Sequence, residues 1–265
     1  MYALDVDPIE IVKTKKRLED AGYGEDILTI KQTNFRNIDQ VAEEAGGFDF
    51  ILADLGVSSM QIDNPDRGFT YKFDGPLDLR LDPEKGESAA ERLREVSYEE
   101  LVGMFQENSD EPYAEEIATV IMKRNRTKNY VETTTQMKDA IEEALAFVPE
   151  KDRKEAVKKS CQRCFQALRI DVNSEFEVLY DFLDKLPDAL RPGGKVAILT
   201  FHSGEDRLVG GSEGWCLQRS QQGCHQTVSG GVRPQSESKI DEDEMGCKSR
   251  IKDTERRHRL YIMLI

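Results

Sequence analysis

One interruption governs what this chain can fold into. Short strand-like runs alternate with helix-period stretches at both ends of the sequence, and between them a series of helix-period stretches runs on with no strand. Tyr2 to Asp5 reads as the end of a strand. Asp7-Pro8 then opens a helix from Ile9 to about Ala21, with the proline near the first turn, where its missing N–H does no harm. Gly22 and Gly24 stop it. A second short strand is expected from Ile27 to Lys31, a short helix around Val41 to Ala45, and a buried parallel strand at the apolar run Phe48 to Asp54. The same order resumes late in the chain. A helix from about Asn173 to Leu190 leads through the turn Arg191-Pro192-Gly193-Gly194 into a strand from Lys195 to Phe201. Such alternation builds a parallel sheet covered by helices.

From Gly56 to about Asp82 the pattern dissolves into Gly, Pro, Asp and Ser, and compact domains keep a loop of that length mainly where it forms a site. Helix-period stretches follow at Ala89 to Leu93, Tyr98 to Phe105, Tyr113 to Arg124, Thr135 to Phe147 and Lys151 to Phe165. The expected organisation is an α/β core made of residues 1–82 and 165–209, an all-helical insert at 83–164, and a divergent tail at 210–265. In the tail only Arg259 to Ile265 reads as a strand, which either returns to the sheet or ends a disordered segment.

Charge narrows the function classes. With 37 basic against 51 acidic residues the net charge is −14, which repels a polyanion at long range and excludes unspecific nucleic-acid binding. Any RNA partner has to be met through a local patch, for which Lys123 to Lys128 and Lys151 to Lys159 are the available basic runs. No apolar run approaches the ~20 residues of a membrane span. The start Met1-Tyr2-Ala3-Leu4-Asp5 lacks the pattern of a secretory signal, so a cytoplasmic protein is expected. Five cysteines without regular spacing point to reduced thiols. Cys161 and Cys164 have redox spacing but fall in a helical stretch, and read as buried, inert thiols. Cys216, Cys224, His225 and Cys247 lack the close pairing of a zinc site.

Ligands of parallel α/β sheets gather at the carboxyl ends of strands, which makes Asp5 and Asp54 the first candidates. A carboxylate at Asp5 suits the cis hydroxyls of a ribose; an exposed helix-capping acid is the other reading, and Asp7, directly before Pro8, is the better N-cap. Asp54 runs into Leu55-Gly56-Val57-Ser58-Ser59, small residues that admit a ligand close to the backbone, or that simply turn the chain.

Six ordered blocks go further. They are Ala3-Leu4-Asp5-Val6-Asp7-Pro8; Asp54 to Gln61; Arg67-Gly68-Phe69 with Asp74 to Arg80; Phe165 to Asn173; Arg191-Pro192-Gly193-Gly194; and Phe201-His202-Ser203-Gly204-Glu205-Asp206-Arg207. Together they span residues 1 to about 209 and resemble the ribosomal RNA small-subunit methyltransferase H family, also called MraW, which methylates N4 of a cytosine with S-adenosylmethionine. The resemblance implies a Rossmann-like class I methyltransferase core with a helical insert. It also implies that Asp5 holds the cofactor ribose, that Phe35 lies near the adenine, and that Asp54 and Gln61 complete the cofactor site. Core packing for Phe35 and a solvated loop amide for Gln61 are the plainer alternatives.

The exocyclic amine of cytosine is a poor nucleophile because its lone pair is delocalised, so acceptors near Asp54 would help while the site aligns it with the sulfonium methyl. That chemistry needs no metal, and none is expected. His202 stands where an imidazole either accepts a proton or meets an extruded base, or is tied structurally to Glu205 or Asp206. Arg163, Arg169 and Asn173 lie where the insert rejoins the core, placed for RNA contacts, with an internal ion pair the alternative for Arg169. The implied partner is small-subunit ribosomal RNA within a ribosomal particle. A catalytically inactive RNA-binding or ribosome-assembly protein of the same descent is the rival reading.

The sequence also departs from the family. There a strand and a loop with a Gly-Gly-His element precede the segment matching Asp5, whereas this sequence opens four residues before it, and neither Gly193-Gly194 nor Gly210-Gly211 stands in for that loop. The expectation is a degenerate or N-terminally incomplete member whose sheet lacks a central strand. Lys159-Ser160 replaces a His-Pro, Cys164 a Thr, and Gly204 a Leu, and from Gly210 the family pattern is unrecognisable.

Overall fold

The computed structural model describes residues 1–24 and 27–211, and as backbone strands residues 216–219, 225–229 and 261–264. The first half of the core is β1 (Tyr2–Asp5), α1 (Pro8–Asp20), β2 (Thr29–Gln32), α2 (Ile38–Ala45) and β3 (Phe48–Asp54). Asp7 starts α1 as anticipated, accepting from the backbone N–H groups of Ile9 and Glu10 at 2.9 and 3.2 Å. A short α3 (Ser59–Ile62) and a 3-10 turn at Pro65–Arg67 punctuate the long loop. The helical region comprises α4 (Ala89–Glu95), α5 (Tyr98–Ser109), α6 (Ala114–Arg126), α7 (Thr134–Ala144) and α8 (Glu150–Asn173). Reciprocal capping boxes fix several of these starts: Ser88 with Glu91, Ser97 with Glu100, and Thr133 with Gln136. The core then resumes with α9 (Glu175–Ala189), β4 (Leu190–Leu199), α10 (Ser203–Gly211), β5 (Cys216–Arg219), β6 (His225–Ser229) and β7 (Tyr261–Leu264).

The strands form one sheet in the order β2-β1-β7-β3-β4-β6-β5. The first five are mutually parallel, and β6 and β5 are added antiparallel at one edge. This corrects the expectation of a missing central strand. Tyr261–Leu264 lies between β1 and β3, pairing with Tyr2 to Leu4 on one side and Phe50 to Ala53 on the other. Each buried backbone group left unpaired costs about 1–3 kcal/mol, and the final strand supplies partners to both neighbours at once. A second difference is local: the expected turn Arg191 to Gly194 lies inside β4 as an excursion between Leu190, opposite Phe48, and Lys195, opposite Phe50.

Two apolar clusters organise the molecule. One joins the sheet to α2 and α9 through Leu4, Ile38, Phe48, Ile51, Phe182 and Val196. The other is built by α4 to α8 around Leu101, Phe105, Ile117, Ile121, Met137 and Leu168, and takes in Leu77 and Leu79 of the long loop. Helix α8 is continuous through 164 and 165 and carries residues of the helical cluster to Leu168 before Ser174, in the left-handed region at φ 49°, turns the chain into α9. Helix α8 therefore links the helical region directly to the sheet side of the molecule.

Candidate functional site

The carboxyl ends of β1 and β3 open onto a cavity lined by Asp5, Asn34, Phe35, Asp54, Asn173 and Glu175, among others. An adjoining cavity shares Asp5, Asp54, Gly56 and Leu81 and adds Glu10, Gln61 and Phe201. Asp5 and Asp54, which end the two strands that flank β7, thus face common space at the carboxyl edge of the parallel sheet.

Asp5 is half-buried, and its Oδ1 accepts the Asp7 N–H at 2.9 Å. Burial pushes its carboxyl up to about 6, the charges of Asp7 and Glu10 add to that, and the backbone N–H groups of Asp7 and Val6 pull against it. Asp54 is exposed at the mouth. Phe35 satisfies both of its readings: its ring packs edge-on against Phe182 at 5.2 Å and also lines the first cavity.

Gln61 is no solvated loop amide. It is 7% exposed, its Oε1 accepts the Ser58 N–H, and its Nε2 donates to Asp7 Oδ2 at 2.8 Å. The same Asp7 oxygen accepts from Arg67 Nη1 at 2.6 Å, and Arg67 Nη2 donates to the carbonyls of Arg80 and Leu81, both at 2.9 Å. Asp7 is fully buried and Arg67 nearly so. This network, invisible as a set of partners in the sequence, ties the start of α1 to the loop that roofs both cavities. Asp7, Gln61 and Arg67 each lie in one of the six family-like blocks, but no local pattern pairs them. Within the loop, Gly75 is obligatory: a Cβ there would stand 2.1 Å from the Pro65 carbonyl oxygen.

Asn173, the last residue of α8, lines the first cavity with its amide fully engaged. Its Oδ1 accepts from Leu81 N–H at 2.7 Å, and its Nδ2 donates to Leu79 and Arg169 carbonyls at 2.8 Å. Arg169 is mostly buried and grips Glu175 through two hydrogen bonds, Nε to Oε1 at 2.7 Å and Nη2 to Oε2 at 2.8 Å. His202 packs tilted on Phe176 with ring centres 6.0 Å apart; its Nδ1 accepts the Glu205 N–H at 3.4 Å, and its Nε2 stands 3.2 Å from Glu205 Oε1. Arg163 stands apart from both cavities, on the helical side, 3.8 Å from Glu111. Of the basic runs, Lys123 and Arg124 pair with Glu143, and Lys159 with Glu155. Burial raises the Cys161 thiol to about 12 and that of Cys164 well above its ordinary value. The side chains of Cys216 and His225, and Cys224 and Cys247 altogether, lie outside the described residues.

The Gly204 departure has a physical cause. A Cβ at 204 would meet Phe176 Cζ at 2.5 Å, so the large ring at 176 occupies the space a side chain at 204 would need. Sequence reading passed over Glu175, Phe176 and Glu205 as site residues. The signal was present for Glu205, inside the block Phe201 to Arg207, and for Glu175 in its place at the break after Asn173.

A mostly parallel doubly wound sheet, with acids crowning the two strands on either side of β7 over a shared cavity, is a Rossmann-like core of the class I methyltransferase kind. The chain belongs to the MraW methylase family, whose family model matches residues 1–216. It is 68% identical over 209 residues to "Ribosomal RNA small subunit methyltransferase H 1" of Lachnoclostridium phytofermentans, covering 79% of this chain and 57% of that protein. A protein of the same name from Agathobacter rectalis is also 68% identical over 209 residues, with 60% of it covered. "Ribosomal RNA small subunit methyltransferase H" of Carboxydothermus hydrogenoformans is 41% identical over 211 residues, with 65% of it covered. The chain therefore spans about three fifths of the length of the first two relatives, at 57% and 60%.

Proposed function

We propose that the protein is an S-adenosylmethionine-dependent methyltransferase that modifies N4 of a cytosine in small-subunit ribosomal RNA, presented within a ribosomal particle. The observation that carries the reading is the opening of Asp5 and Asp54 onto one cavity in a chain of this family. The residues fit the adenosyl half of the cofactor: Asp5 keeps an oxygen beyond its Asp7 contact for the ribose hydroxyls, and Phe35 offers a fixed ring edge for the adenine. Gln61 acts by holding Asp7, and Asn173 by holding the roof at Leu79 and Leu81. In this reading residues 1–82 and 165–209 are the transfer core, 83–164 an insert that presents Arg163 to RNA phosphates, and 210–265 a tail. Among the described residues no helix is long and apolar enough to cross a membrane, and a ribosomal target supports action in the cytoplasm.

The cofactor supplies an electrophilic methyl on a sulfonium sulfur. The protein's task is placement and charge. Asp54, at the mouth beside Gly56, offsets the positive charge that builds on the amine as it is alkylated. The net negative surface favours a structured, protein-bound target over free RNA.

Calorimetric titration with S-adenosylmethionine, together with tritiated methyl transfer to undermethylated small-subunit particles, tests the proposal. Affinity should strengthen about tenfold from pH 5 to pH 7, because only about a tenth of Asp5 is ionised one unit below a pKa of about 6. Asp5→Asn should bind weakly at every pH. Label recovered on an atom other than cytosine N4, or an affinity that weakens as the pH rises, refutes it.

A further inference from the structure

The lining of the first cavity also includes Glu175, Phe176 and Glu205. Both acids sit in the first turns of their helices, α9 and α10, where backbone N–H groups favour negative charge. Glu205 is 4% exposed; its Oε2 accepts the Phe201 N–H at 2.7 Å, while Oε1 faces His202 Nε2, a nitrogen that makes no hydrogen bond. Glu175 receives both of its guanidinium bonds from Arg169, leaving each oxygen a further lone pair. One oxygen of Glu175, one of Glu205 and a ring nitrogen of His202 lie within 4.8 Å of one another.

An –NH₂ group directs its two N–H bonds about 120° apart, so acceptors ~2.9 Å from its nitrogen stand about 5 Å from each other. The Glu175 and Glu205 oxygens, no more than 4.8 Å apart, come within reach of both N–H bonds of such a group. A metal ion is a poor occupant, since Arg169 already places a positive charge on both oxygens of Glu175. A keto oxygen fits less well: it would face two anionic acceptors, and the nearby donor, His202 Nε2, is directed at Glu205 Oε1.

Resting on the methyltransferase reading above, we propose that Glu175 and Glu205 are specificity-determining residues that accept the two N–H bonds of the substrate's exocyclic amine and thereby select an amino-bearing nucleobase over a keto one. Holding both hydrogens in the base plane also leaves the nitrogen's remaining electron pair perpendicular to that plane. Arg169 and His202 are positioning residues: Arg169 aligns Glu175, and His202 packs Glu205 against Phe176.

The test uses the whole chain and two fluorescein-labelled nine-nucleotide single-stranded RNAs that differ only in a central cytosine or uracil, with binding followed by anisotropy. The wild type should prefer the cytosine strand roughly 10- to 100-fold. Glu205→Gln, which retains an acceptor for the Phe201 N–H, should reduce that ratio by about tenfold or more with the unfolding midpoint unchanged, whereas Glu175→Gln should reduce the ratio and also lower the midpoint, because Arg169 then keeps an unpaired buried charge. A purely structural role would lower the midpoint and leave the ratio alone. Equal binding of the two strands by the wild type, no binding of either, or an undiminished ratio in both variants overturns the inference. Such a result alongside intact cofactor binding leaves the methyltransferase reading standing, whereas a strong cytosine preference without cofactor binding removes that reading and keeps this one.

Discussion

Replacing Asp7 by Asn keeps the helix cap while removing the charge and the oxygen that Arg67 and Gln61 share. Asn is an equally good N-cap, so the hydrogen bonds to Ile9 and Glu10 N–H survive and that contribution stays near zero. The loss falls on Arg67 and, through the same lost oxygen, on Gln61 Nε2. The Arg67 side chain is 5% exposed, and without a carboxylate its charge stays buried against a neutral amide and two carbonyls. Removing one partner of a buried pair costs about 3–5 kcal/mol, which is a third or more of a typical domain's stability. Asp7→Ala should add about 1 kcal/mol for the lost cap. Urea unfolding of the chain measures both, and Asp7→Asn combined with Arg67→Met should recover much of the loss, because no unpaired charge then remains. A loss below about 1 kcal/mol for Asp7→Asn would refute the claim that the pair is desolvated and singly compensated.

The acid limb gives an independent check. Burial alone would raise the Asp7 carboxyl, but hydrogen bonds from Arg67 and Gln61 outweigh it and hold the group below its ordinary range. A carboxyl depressed on folding contributes stability above its unfolded value of about 3.9 and loses it as the pH falls through the lower folded value. Asp5 has the opposite sign. Its folded carboxyl near 6 contributes fully below the unfolded value and loses that contribution as the pH rises through about 6. The wild type should therefore lose stability below pH ~4 more steeply than Asp7→Asn does.

Two further outcomes follow from packing. Gly204→Leu should destabilise the chain by about 2 kcal/mol through its clash with Phe176, and Phe176→Leu in the same molecule should restore most of it; additive losses in urea unfolding would sink the compensation argument. Cys161 and Cys164, buried with raised pKa values, should react with a thiol reagent only on unfolding, and rapid labelling of the native chain at pH 8 would contradict that burial.

How much of this was legible in the sequence divides by range of interaction. Strand ends at Asp5 and Asp54 and the helix opened by Asp7-Pro8 follow from local periodicity and capping and stand where the pattern put them, whereas the last helix of the all-helical region, expected to end at Phe165, runs on to Asn173. What local pattern lacks is the identity of a distant partner. Asp7 was readable as a cap, yet its second oxygen serves residues 54 and 60 positions away. Asn173 was readable as a group near the cavity, yet its hydrogens are spent on carbonyls 94 and 4 positions away. The central strand is the extreme case. Tyr261–Leu264 was readable as apolar and extended, but the slot between β1 and β3 is defined by residues more than two hundred positions earlier, and only unsatisfied backbone on both sides calls for it. The same division explains the cavity wall. A pair of glutamates thirty positions apart carries no shared pattern, and becomes a paired acceptor only because the turn at Ser174 and the start of α10 bring two helix N-termini to one face.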